Sequence, residues 1–218
     1  DTYEQRYQTP LYYFIQGTVK QLIPDPDYEE YRRLDTGWNW GILAATIDKA
    51  HIPVFGSYGN DNQNLRLHDH SEDFPYLRGG TTLAVHVLRL VTVVIGTMAV
   101  MVCSRIFHVL WPSRPDLRLG ALGVIAFWPT LQYNAGVVNN DPLATCAASI
   151  SLLLLLRLMR DGPTPKRAAM LGLALGLAFL SKLSLLALAL PVGLAALFDW
   201  RRWRQNVAII AAVALIIS

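Results

Sequence analysis

Cysteine is almost missing from this chain: Cys103 and Cys146 are the only two in 218 residues, and each lies in an apolar stretch with no His or Cys at ligand spacing. That excludes a disulfide framework and a thiolate zinc site. No segment repeats and no tract is of low complexity, which excludes solenoids and arrays. Charge is scarce too, at 16% of residues, and it is unevenly spread. The stretch 24–79 is rich in Asp, Asn, Tyr and Pro, whereas from Thr81 onward charge is mostly confined to short loops between long apolar runs. A mean hydropathy of +0.31 therefore averages over two different kinds of sequence. A soluble domain does not distribute its polar residues this way. The net charge of +3 comes partly from arginines flanking the apolar runs, so membrane orientation accounts for it and no nucleic-acid partner is indicated.

What is present is a series of hydrophobic segments. The expected fold is an all-α polytopic membrane protein, a transmembrane helix bundle over 81–218 preceded by an extracytoplasmic segment, 1–80. Spans are expected at about 83–107, 119–133, 142–158, 168–180 and 183–198, with a truncated one at 207–218 that reaches only half the ~20 residues a crossing needs. The chain is accordingly read as an internal piece of a longer protein. Within 1–80, apolar residues at 11, 14, 15, 19, 22 and 23 give a helical period too short to cross, so 11–23 is expected along the outer interface. Prolines 24 and 26 end it, and a loop-rich polar insert, 24–80, follows.

Lys and Arg set the orientation. The first span ends at Arg105 and the linker after it holds Arg114 and Arg118, while the third returns to Arg157, Arg160, Lys166 and Arg167. These loops are expected inside, and the 134–141 loop, which has no Lys or Arg, outside. The apolar stretch 168–198 then has to go out and return before Arg201, Arg202 and Arg204, which divides it at Ser181-Lys182. Three elements converge on the outer face: Gln8 to Tyr13, Asn139 to Pro142, and Ser181-Lys182. An ionisable group at membrane depth is costly and marks a functional candidate, so Asp141 and Lys182 are read as offsetting each other or binding a charged ligand. The competing readings are an N-cap for Asp141 and a snorkelling anchor for Lys182.

Four stretches carry a family likeness: 8–15 (QTPLYYFI), 88–96 (LRLVTVVIG), 135–143 (AGVVNNDPL) and 172–183 (GLALGLAFLSKL). In order and spacing the sequence resembles the polytopic lipid-linked sugar transferases of the GT-C superfamily, in the branch of protein O-mannosyltransferases and aminoarabinose transferases with bacterial relatives. The resemblance implies transfer of a sugar from a polyprenyl-phosphate donor to an acceptor at the outer face of the plasma (inner) membrane. It implies an acidic catalytic residue in the first outer loop, often with a divalent metal ion, and places that residue upstream of Asp1. Relatives carry an acid and a Lys before the Pro-Leu-Tyr-Tyr element, where this chain has Gln8 and Thr9. The remaining contributors to donor and lipid-phosphate binding are then Arg89, Asn140, Asp141, Lys182 and Tyr12, with Arg89 equally suited to anchoring its helix. Bacterial relatives with similar inserts suggest that Asn64 and His68 pack over the site.

In the insert, Asn60 to Asn64 and His68 to Asp73 hold oxygen and imidazole groups. Their spacing fits no established metal loop, so a hydrogen-bonded turn region competes with a metal site at His68, to which Asp141 is the other candidate ligand. Trp38, Trp40 and Tyr76 suit either sugar stacking or interface anchoring. Two other functions fit less well. A secondary transporter is disfavoured by the lack of a visible repeat and by polar residues gathered at one face rather than the midplane, and a third reading is a non-catalytic membrane scaffold whose insert binds a partner.

Overall fold

A computed structural model describes residues 9–26, 80–198 and 200–217. The insert motifs and Asp1 to Gln8 lie outside the described residues. Those described are helical, with no strand among them.

Helix α1 (Leu11–Lys20) starts after Pro10 and stops earlier than its apolar pattern suggests. Leu22 and Ile23 donate to the carbonyls of Val19 and Lys20, three residues back, so the chain leaves in a tightened turn ahead of Pro24. Lys20 completes that end through an ion pair with Asp25 at 2.8 Å. Helix α2 (Gly80–Leu110) has 31 residues, about 47 Å at 1.5 Å per residue, more than a hydrocarbon core needs. It closes with Trp111 stacked on Phe107, ahead of Pro112.

The stretch 119–133, expected as one continuous span, is instead two helices, α3 (Pro115–Ala126) and α4 (Pro129–Gly136). Pro129 is the physical reason. Its ring disfavours helical geometry at the preceding residue, and Trp128 accordingly takes an extended ψ of 116°. Helix α5 (Asp141–Asp161) runs to Gly162, whose φ of 84° is the left-handed geometry a side chain would strain. Arg167 closes the turn by donating to the carbonyls of Asp161 and Gly162, both at 2.9 Å. Thr164 caps α6 (Pro165–Ser181) by accepting from the Arg167 amide. Lys182 is extended, as the division at Ser181-Lys182 requires. A 3₁₀ helix (Leu183–Leu188), α7 (Ala189–Phe198) and α8 (Trp200–Ile217) follow. Helix α8 starts seven residues before the expected 207, so its first turns are polar.

Leu158, Leu171, Leu175, Trp203 and Ile210 form a core shared by α5, α6 and α8, with α7 contributing Val192 and Ala195. Two helices, Leu83–Leu110 and Asp141–Asp161, are long and apolar enough to cross a membrane. Only 22% of the most apolar window of α2 is buried, which no core helix of a soluble domain would show. Leu90, Val94, Met98 and Met101 face outward along it, an apolar stripe that lipid covers and water would not.

Helices in lipid gain nothing from burying apolar surface against each other, so close approach has to supply the attraction. Gly172 and Gly176 provide it. A Cβ at Gly172 would stand 2.7 Å from the Ile210 carbonyl oxygen, and one at Gly176 would stand 2.6 Å from the Ile217 Cβ. Gly172→Ala is therefore expected to destabilise the full-length protein by about 1–3 kcal/mol, because backbone cannot yield as a side-chain tip can. Gly193→Ala, which meets nothing within 4 Å, is expected to be neutral or to gain up to about 1 kcal/mol of helix propensity. Thermal unfolding in detergent distinguishes the two. Equal behaviour would remove the close-approach account of the α6–α8 contact.

Candidate functional site

A carboxylate and an ammonium 41 residues apart meet where α5 begins and α6 ends. Helix α5 leaves from Asp141, the Gly162 turn reverses the chain, and α6 returns it to Lys182. The extended backbone at Lys182, φ −162° and ψ 128°, ends the helix. Lys182 Nζ then donates to Asp141 Oδ1. The other oxygen, Oδ2, accepts from Asn139 Nδ2 at 3.3 Å and lies 3.5 Å from Asn134 Nδ2. Asp141 sits in the first turn of α5, where the helix dipole favours negative charge. Its carboxylate makes no capping bond. The Asp141 amide instead donates to Asn139 Oδ1 at 3.3 Å, so the N-cap reading of Asp141 gives way to the ion pair.

The pair is accessible, with the Lys182 and Asp141 side chains 42% and 33% exposed. An ammonium carries three donors. One is spent on Asp141, and the others are available to an anionic group at this end of the helices.

Helix α1 lies against the same region through a buried hydroxyl relay. Gln16 Nε2 donates to the Tyr12 hydroxyl at 2.8 Å, which lies 2.8 Å from Thr92 Oγ1, and Thr92 donates on to the Leu88 carbonyl. Tyr12, a candidate for the donor site in the sequence, is fully buried, and its hydroxyl secures α1 to α2. The neighbouring tyrosine is the one turned outward. Tyr13 is 40% exposed, and burial, then Tyr12, then the negative charge of Asp141 push its phenol above the ordinary value. Consecutive helical side chains diverge by about 100°, so only one of the two tyrosines can face α2. Gln16, four residues after Tyr12, shares its face and also donates to Thr92 Oγ1 at 3.1 Å.

Asn140 is 4% exposed, and its carbonyl takes the first helical bond of α5, from Ala144 at 3.0 Å. Arg89 is half-buried on α2 and forms no ion pair with another described residue. Gly96 of α2 abuts Ala135 of α4, so Arg89 stands two turns, about 10 Å, further along α2 than the loop leading to Asp141. Sequence reasoning passed over Asn134, which the short α4 brings to Asp141. His68 lies outside the described residues. Among those described, no three His, Cys, Asp or Glu side chains stand close enough to hold a metal ion, so Asp141 alone does not make a divalent site.

These features define a membrane protein, helical throughout its described residues, with an ion-paired polar site at one end of an apolar helical hairpin. A family model described as dolichyl-phosphate-mannose-protein mannosyltransferase matches residues 76–218, and the chain belongs to that family, the membrane glycosyltransferases of GT-C type. No curated protein and no solved structure gives a match.

An ion pair this exposed contributes about 1 kcal/mol or less once solvent screening is counted. Asp141→Asn and Lys182→Ala are therefore expected to leave the unfolding temperature of the full-length protein nearly unchanged. Thr92→Val, which breaks the buried relay, is expected to cost about 1–3 kcal/mol. Collapse of the Asp141 variant in the same melting assay would make the pair a structural clamp and not a ligand site.

Proposed function

We propose that this chain is the supporting half of the active site in a polytopic transferase that moves a sugar from a polyprenyl-phosphate donor to an acceptor at the extracytoplasmic face of the plasma membrane. The observation that carries the reading is the Asp141–Lys182 pair at the end of the bundle opposite the arginines. Arg105, Arg114, Arg118, Arg160 and Arg167 gather at the other ends of α2, α5 and their loops, and the positive-inside rule assigns that end to the cytoplasm.

The chemistry fits the residues. When an acceptor oxygen attacks the anomeric carbon, the bond to the phosphate oxygen breaks and negative charge grows on the departing lipid phosphate. Lys182, partly shielded from water and fixed by Asp141, is suited to hold that charge with its remaining donors. Asp141, with Asn134 and Asn139 beside it, offers acceptors and amides to hydroxyls of the sugar. Tyr13 is placed to line the same opening. None of the described residues is given the role of the base that takes the acceptor proton. A metal ion, where the full-length protein uses one, would draw its ligands chiefly from outside the described residues.

The test uses the full-length protein in membranes with a polyprenyl-phosphate sugar. Lys182→Ala is expected to lower sugar transfer by a factor on the order of 10²–10³, as removal of a charge-stabilising donor does, and to weaken donor binding. Lys182→Arg is expected to retain part of both. Asp141→Asn should lower transfer with folded protein still present. Wild-type transfer and donor binding in both Lys182→Ala and Asp141→Asn would sink the assignment and return these residues to helix-end anchors.

A further inference from the structure

A cleft among the described residues lies away from the Asp141–Lys182 site. It lies at the arginine-rich end, where the last turns of α2 meet the start of α3, and it has a volume of about 530 Å³. Its two parts differ in chemistry. One wall is aliphatic, made by Val100 and Met101 of α2 with Leu122 of α3. At the mouth stand Arg105, His108 and Arg118. Arg118 Nη1 donates to His108 Nδ1, so the imidazole accepts there and the positive charge of the mouth rests on the two guanidinium groups. The nearest acid in the sequence, Asp116, is already held by Arg114, through bonds of 2.7 and 3.1 Å, and leaves that charge uncompensated.

We infer that this cleft binds an anionic phospholipid, with the headgroup phosphate between Arg105 and Arg118 and an acyl chain along Val100, Met101 and Leu122. Charge complementarity selects the occupant. Guanidinium groups bind phosphate oxygens through paired N–H donors, and a zwitterionic lipid would bring its own cation against them. The aliphatic wall continues into the span, so a free phosphate would use only the mouth. The site is separate from the donor-lipid site of the proposed reaction: Cys103, in the stretch of α2 that lines the cleft, lies beside Ser149, about two turns along α5 from Asp141. It rests on the membrane reading, and its orientation rests on the proposed topology.

The probe is phosphatidylglycerol with a diazirine in its acyl chain, mixed into phosphatidylcholine nanodiscs holding the full-length protein, with phosphatidylcholine carrying the same diazirine as the comparison. Mass spectrometry is expected to place the phosphatidylglycerol label within residues 100–122, and the phosphatidylcholine label there only weakly. Arg105→Gln combined with Arg118→Gln should reduce that labelling about 30-fold, from about fivefold for each basic residue near an anionic headgroup. Asp141→Asn should leave it unchanged, so failure of the sugar-transfer reading and failure of this one are separable. Equal labelling by the two lipids in the wild-type protein, or phosphatidylglycerol label mainly elsewhere, overturns the inference whether or not the double variant folds.

Discussion

A lone carboxylate or ammonium at the edge of a bilayer loses hydration that nothing in hydrocarbon replaces, and the Asp141–Lys182 pair resolves that cost for both residues at once. The geometry that allows it is set by the hairpin between them. Helix α5 has 21 residues and α6 has 17, so their free ends come level only because Gly162 reverses the chain tightly and α6 stops at Ser181. A turn of helix added to either would move one charge about 5 Å past the other. The site is thus a consequence of helix lengths and of one glycine turn. Because the pair is accessible, its contribution to stability is small, and the surrounding contacts hold the hairpin in place.

Those contacts are close helix–helix approaches. Small residues let α6 lie close to α8 at Gly172 and Gly176, and Gly96 lets α2 approach α4 at Ala135. Two serines inside the bundle are satisfied within their own helices. Ser151 and Ser181 bond to carbonyls one turn back, and Cys103 lies 3.6 Å from Ser149 between α2 and α5. The Tyr12, Gln16 and Thr92 relay does for α1 what the glycines do for α6: it fixes an otherwise short helix against a long one, and so sets the position of Tyr13 relative to Asp141.

Apolar run length made α2 and α5 legible in the sequence, and the charge argument at Arg201 to Arg204 correctly required a break at Ser181-Lys182, where the backbone is extended. The meeting of Asp141 with Lys182 was readable for the same reason, since both had to reach one face. The break before Pro129 was also in plain sight, but hydrophobicity was weighed above the proline rule. Two features were not readable. Which tyrosine faces inward depends on Thr92, eighty residues away, and the early start of α8 depends on Trp203 entering a core built by α5 and α6. Both are tertiary contacts that local periodicity does not encode.

The two ends of the bundle now differ in a way that has chemical meaning. At the Asp141 end, positive charge is neutralised in place by a carboxylate and lies among amides that hydrogen-bond without adding charge. Such an end can hold a phosphate while a bond to it breaks and can then release it, because each contact is modest. At the other end, the guanidinium groups of Arg105 and Arg118 face a cleft lined by no carboxylate among the described residues. Uncompensated charge of that kind suits permanent attachment to headgroups and not turnover. On the proposed readings, the same residue classes, placed with and without an internal counter-charge, separate a site for passing substrates from a site for resident lipid.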